Sequence, residues 1–146
     1  LIAGTNVKSE KYSEGLKQLV KEKNLEERVI FYGFVKDKDK KTIFSATDLV
    51  LFPYKDIYQS GSMNEVLSYA TPILASSIDG FKEFQKEFHC IELAEEHEWK
   101  QKINKLLKDK KLQKSLEKKA KVYCKENSWK KTAEKTIKEY EKLLKS

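Results

Sequence analysis

The feature that most narrows the fold is an alternation of two hydrophobic periods along the chain. Short apolar runs at Leu1–Ala3, Val29–Gly33, Asp48–Pro53, Pro72–Ser76 and Cys90–Leu93 are separated by stretches whose apolar residues recur every three or four positions. A brief apolar run bounded by turn residues is strand-sized, whereas recurrence at i, i+3, i+4 marks one face of a helix. Tyr12, Leu16, Leu19 and Val20 form the first such stripe, and Ile43 with Phe44 a short second one opened by Asp37. A third helix is expected from Ser62 to Ala70, and a fourth from Gly80 through Phe81 and Phe84. Strands that alternate with helices are joined by crossovers and lie parallel. Their lack of polar alternation fits strands buried on both sides. The expected fold class is therefore α/β: a Rossmann-like parallel sheet covered by helices on both faces, with a helical C-terminal tail.

After Leu93 the pattern is helical throughout. Trp99, Ile103, Leu106 and Leu107 share one stripe, and Leu112, Leu116, Ala120 and Tyr123 another. The last comprises Trp129, Ala133, Ile137, Tyr140 and Leu144, with Ser128 where an N-cap belongs. This final stripe is expected to dock and leave its lysines in water. The tail also carries the charge. Residues 98–146 hold 17 lysines against 7 carboxylates, net +10, while residues 1–97 carry −3, giving the overall +7. A solvated lysine-rich face accounts for such a tail, and it also suits peripheral contact with an anionic membrane. Nucleic acid is not an expected partner. Arg28 is the sole arginine, and reading of base edges favours the flat two-pronged guanidinium.

The 146 residues are enough for one domain, 1–146, with one sizeable core. No apolar run approaches the ~20 residues that cross a membrane, and no signal peptide is apparent. A chain that opens on the apolar run Leu1–Ala3, with Met63 its sole methionine, reads as a piece of a longer protein. Cys90 and Cys124 lack zinc-type spacing, so no metal is expected, and two lone thiols suit a reducing cytoplasm. His89 and His97 have no catalytic partner pattern, and neither a Ser-His-Asp set nor a Walker loop is present.

In parallel sheets ligands bind at the carboxyl ends of the strands. Three stretches belong there: Phe34–Asp37, Tyr54–Ser62 and Ser77–Gly80. In the second, Ser60, Gly61 and Ser62 are small enough to bring a ligand against the start of a helix, where free N–H groups favour phosphate or hydroxyl oxygens. Glu65 has two readings. With Ser62 it forms the spacing of a capping box; alternatively its carboxylate holds a vicinal diol, as in dinucleotide folds. Of the other acids, Asp48 fits a strand entry, Asp79 a turn with Gly80, and Asp56 lies free in the loop.

Five pieces in order resemble the C-terminal domain of GT-B-fold retaining glycosyltransferases of family 4. Glu27 to Val35 is similar to that family's RV.F.GFV strand, and Asp48 to Pro53 to its D.F.LPS strand. Glu65 to Ser76 is similar to EA.A.G.PV.AS, Gly80 to Glu83 to G..E, and Ser128-Trp129 to the SW near the family's end. The resemblance implies one half of a GT-B fold that binds a nucleotide sugar. The parent enzyme would transfer the sugar from a nucleotide diphosphate to an acceptor with retained configuration, without a metal cofactor. It assigns Glu65 to the donor ribose, and Ser60, Gly61, Ser62 and Met63 to the donor sugar and phosphates. Gly33, Phe34 and Val35 fall beside the base, although Phe34 and Val35 also suit a core edge. The family's first loop glutamate falls on Ile57, with Asp56 adjacent as a substitute, and its GFG becomes Tyr58-Gln59-Ser60. No catalytic residue is assigned within this sequence. The basic pair facing the diphosphate is expected just upstream of Leu1, and the acceptor-binding N-terminal domain before it; the family's last helix reaches toward that domain, so some apolar surface of the final stripe is expected to lie exposed. The location implied is cytoplasmic, at or near the inner face of the membrane. A related nucleotide-sugar epimerase, or a non-enzymatic basic interaction domain, stay open as alternatives.

Overall fold

The computed structural model describes residues 1–4, 10–56 and 61–144. In chain order the elements are β1 (Ile2–Ala3), α1 (Glu10–Glu22), β2 (Phe31–Gly33), α2 (Asp37–Ser45), β3 (Val50–Phe52) and α3 (Gly61–Ser68). Then follow β4 (Ile73–Ser76), α4 (Asp79–Phe88), β5 (Glu92–Ala94), α5 (Trp99–Lys108), α6 (Lys110–Glu126) and α7 (Trp129–Leu143). A strand forms at each expected run, two to four residues long, with β5 shifted to end at Ala94, and the α/β alternation holds. The described residues form two compact units, 1–43 and 44–146, divided within α2.

In the first unit β1 lies parallel to β2, with Ile2 opposite Phe31 and Ala3 opposite Gly33. The Gly4 N–H donates to the Gly33 carbonyl at 2.9 Å. Gly33 sits at φ +74°, a conformation that costs glycine nothing and other residues about 1–2 kcal/mol. Helix α1 forms on its stripe, but Leu16 and Val20 are half-buried while Tyr12 and Leu19 are exposed. No described residue of this unit is fully buried, and Ile2, Ile30 and Tyr32 are exposed. Two short strands and one helix bring too little apolar surface together to close a core. The coverage on both faces that the fold class implies is carried by the second unit.

The second unit has the doubly covered sheet that the apolar runs require. β3, β4 and β5 are parallel in that order, with Val50 opposite Ile73, Phe52 opposite Ala75, and Ser76 opposite Ala94. Side chains alternate across the central strand. Ile73 and Ala75 point into a cluster with Met63, Val66 and Leu67 of α3, Phe81 of α4 and Ala120 of α6. Leu74 points the other way, against Leu106 of α5 and Leu116 of α6. Helices α3 and α4 therefore cover one face and α5 the other, while α6 contributes to both. Phe81, Leu67, Ile73, Leu74, Ile91 and Leu106 are all under 2% exposed. Each is worth about 1.5–3 kcal/mol by transfer from water, which is why this unit carries the stability. Gln113, a buried amide, is satisfied at both ends: its Nε2 donates to the Leu106 carbonyl at 2.7 Å, and its Oε1 accepts from Lys110 at 3.0 Å.

Two local expectations need correction. Helix α3 begins at Gly61, so Ser62 is a first-turn residue and not the cap, and Glu65 falls in the second turn. A capping box needs its serine in extended backbone just before the helix, with the glutamate three residues on. The last helix does start at Ser128, whose hydroxyl accepts from the Lys131 N–H at 3.4 Å. Its stripe, however, does not dock. No described residue of α7 is buried, and Trp129 is 91% exposed. Ile137, Tyr140 and Leu144 are also exposed, and no described residue of α7 enters either core cluster.

Candidate functional site

The parallel ladders bring the carboxyl ends of β3, β4 and β5 level, and the Ser77 N–H extends the last rung by donating to the Ala94 carbonyl at 2.9 Å. The chain leaves β3 through Pro53, which cannot continue the ladder. It leaves β4 through Ser77 and Ile78 into α4. Between these two exits lies a groove of about 540 Å³ lined by Lys55, Asp56, Ser77, Asp79, Gly80 and Glu83. Two of the three loops singled out in the sequence thus meet around one opening.

Aromatic contacts join the exit of β3 to the first turn of α4. Tyr54 stacks on Phe81 with ring centres 6.0 Å apart, and Phe52 meets both rings, at 5.4 Å from Tyr54 and 6.4 Å from Phe81. Phe81 is buried, so the first turn of α4 is anchored to the end of β3 by aromatic contact. The Ser76 hydroxyl adds a hydrogen bond to the Phe52 carbonyl at 3.3 Å. Burial raises the Tyr54 hydroxyl above its ordinary value, so this phenol stays neutral.

Helix α4 opens on the groove with Ile78 at its N-cap, in extended backbone and without a side-chain cap. Apolar Ile78 has no acceptor to offer, so the first N–H groups of α4 are left for water or a ligand oxygen. Asp79, expected in a turn, is instead the first residue of the helix, where a carboxylate is favoured by the helix dipole. Gly80 brings no side chain, and a Glu83 four residues after Asp79 lies on the same helix face.

Three carboxylates and one ammonium line the groove. That balance repels a diphosphate and suits a neutral polyhydroxyl group, whose O–H protons the carboxylates accept while its oxygens accept from the α4 N–H groups. Among the described residues, no three His, Cys, Asp or Glu side chains converge to hold a metal ion.

The other expected site residues lie as follows. Gly61 and Ser62 are exposed at the start of α3, Met63 is buried in the core, and Glu65 is half-buried one turn further on. Asn64 accepts from the Tyr123 hydroxyl at 2.9 Å, which ties α3 to α6. Gly33 ends β2 in the first unit and Phe34 and Val35 follow it; Phe34 is 68% exposed, which removes its reading as a core edge. Ser60 lies outside the described residues, as do Ile57, Tyr58 and Gln59. Lys55 and Glu83 line the groove without having been named as site residues. Glu83 was visible as the end of the G..E piece, whereas nothing marked Lys55. Cys90 is buried and its thiol is pushed up to about 11, mainly by burial, which fits a small apolar core residue and not a nucleophile.

Comparison with known proteins now decides the family. The family described as glycosyl transferases group 1 matches residues 1–123. The chain belongs to that family. Among solved structures, Anabaena Alr3699/HepE in complex with UDP and glucose aligns with TM-score 0.79 at 22% identity, over 94% of this chain and 38% of its own. The same protein in complex with UDP-glucose aligns with TM-score 0.72 at 23% identity, over 83% and 34%. Sucrose-phosphate synthase from Thermosynechococcus elongatus aligns with TM-score 0.78 at 20% identity, over 97% and 37%. The chain spans little more than a third of the length of these structures. It has the α/β fold of one half of a GT-B glycosyltransferase. A search of curated proteins returned no match.

Proposed function

We propose that this chain is the donor-binding half of a retaining glycosyltransferase, and that the groove at the ends of β3 and β4 receives the sugar of a nucleotide diphosphate sugar. The observation that carries this reading is the groove's chemistry: Asp56, Asp79 and Glu83 beside an α4 start with no side-chain cap. Carboxylates paired with backbone donors suit a pyranose, which offers both hydroxyl protons and oxygen lone pairs. HepE, a protein of the same fold, has been solved with UDP and glucose.

In this reading the diphosphate meets the start of α3, where Gly61 and Ser62 leave the backbone accessible and the helix dipole favours the leaving group's charge. Phosphate neutralisation falls to that helix start and to basic side chains, with no resident metal. Glu65 accepts from the two ribose hydroxyls. The acceptor is bound by a further domain, and the two free thiols suit a cytoplasmic setting.

Ligand-observed NMR against a panel of nucleotide diphosphate sugars and bare nucleotide diphosphates tests this. The expected result is saturation transfer to a sugar-bearing nucleotide, weakened about tenfold by Asp56→Asn or Glu83→Gln, one charged hydrogen bond each. Equal binding of all ligands by both variants and the parent chain would refute the assignment.

A further inference from the structure

Helix α6 carries a row of charge that the fold leaves unanswered. Lys110, Lys114, Lys118, Lys121 and Lys125 follow one another at spacings of 4, 4, 3 and 4 residues, so they stand on one side of the helix. All are exposed. At 1.5 Å per residue the row is about 22 Å long. Its direction is fixed, because Leu112, Leu116, Ala120 and Tyr123 on the other side of α6 are held in the two core clusters. The helix has two carboxylates, and Glu126 is turned to Lys131 of α7 at 3.7 Å. Among the described residues, none of Lys114, Lys118, Lys121 and Lys125 has an ion-pair partner.

Beside this row runs a shallow groove of about 530 Å³ between the end of α4 and α6. Phe88, Val122 and Tyr123 give it an apolar floor, with Lys118 and Lys119 on its border and Glu87 and Glu126 also in contact with it. Val122 is 55% exposed. Three residues beyond α6, Trp129 opens α7 almost fully exposed. The surface therefore combines a line of flexible ammonium groups with accessible apolar atoms. It has no arginine, the residue suited to planar two-pronged recognition.

We propose that this lysine row and the groove beside it form a docking surface for an anionic phospholipid bilayer. Ammonium groups on long stems adapt to scattered headgroup phosphates, and the stems and groove floor meet the apolar boundary beneath them. Nucleic acid would also attract lysines, but its charge does not use the apolar floor. The inference is independent of the sugar groove, which lies elsewhere in the second unit and shares no residue with this surface.

Co-sedimentation of the chain with phosphatidylcholine vesicles, and with phosphatidylcholine–phosphatidylglycerol vesicles, tests it at low and physiological salt. Binding is expected to the mixed vesicles alone and to weaken with salt. Each lysine near an anionic surface contributes about fivefold, so Lys114→Gln/Lys118→Gln/Lys121→Gln should lower partitioning by on the order of a hundredfold. These side chains are exposed, so the melting temperature should stay unchanged. The matched triple Lys130→Gln/Lys135→Gln/Lys138→Gln in α7 removes the same charge and should lower partitioning by less than about tenfold. Three results would each overturn the proposal: no binding to mixed vesicles, equal loss from both triples, or tighter binding to a duplex oligonucleotide than to vesicles at the same salt.

Discussion

Phe81 is where core packing and the sugar groove meet, so replacing it with leucine tests whether the two are linked. Its ring is 1% exposed and contacts two others, Phe52 and Tyr54. Such ring pairs contribute about 0.5–1.5 kcal/mol each beyond burial. Leucine keeps most of the apolar volume but neither pair, so Phe81→Leu should cost about 1–3 kcal/mol. Urea denaturation should show this as a lower midpoint with an unchanged slope. The same substitution frees the first turn of α4 from the end of β3, so Asp79, Gly80 and Glu83 lose their fixed relation to Asp56. Affinity for a sugar nucleotide should fall by about tenfold, a small misplacement acting through binding geometry. Leu106→Val, on the opposite face of the sheet, should cost about 1 kcal/mol and leave affinity within about twofold. If both variants lose stability and neither loses affinity, the aromatic contacts do not position the groove, and the reasoning fails.

Three further predictions concern stability and chemistry. His89 ends α4 in the left-handed region at φ +53° and is exposed, so His89→Gly should raise stability by about 0.5–1 kcal/mol in thermal melts. Burial pushes the Cys90 thiol up to about 11, above the ordinary thiol range. The unfolded chain therefore loses this proton first, and stability should fall as pH rises from about 9 to 11, a slope that Cys90→Ala should flatten. Ser128→Ala removes the α7 cap and should lower helix content by circular dichroism with little change in the main unfolding midpoint, because no described residue of α7 is buried.

Much of this was legible in the sequence, for a physical reason. Pro72–Ser76 is apolar at every second position and at those between, as a doubly covered strand allows, and the structure buries β4 from both sides; Asp48–Pro53 has the same pattern, yet Leu51 of β3 is exposed. The stripes of α5 and α6 pack on the sheet as their periodicity implies, except that Leu107 is exposed. The stripe of α7 has the same periodicity and does not dock, while the apolar surface expected on it does lie exposed. A pattern states which face is apolar and says nothing of whether a partner face is free. At the candidate site, Asp56 and the Ser77–Gly80 loop were found from the rule that ligands bind at strand ends. Lys55 was not, since a lone lysine in a loop has no periodicity or spacing to mark it.

The central claim is that the sugar end of a nucleotide sugar sits in the carboxylate-lined groove. Amide chemical-shift mapping of the isotope-labelled chain, titrated in parallel with UDP-glucose and UDP, tests it most directly. The account predicts that both ligands perturb Gly61 and Ser62, and that UDP-glucose alone also perturbs Asp56, Ser77, Asp79, Gly80 and Glu83. Shifts at Asp56 and Ser77–Glu83 that are the same with UDP as with UDP-glucose, or absent from this groove at saturation with UDP-glucose, would contradict it.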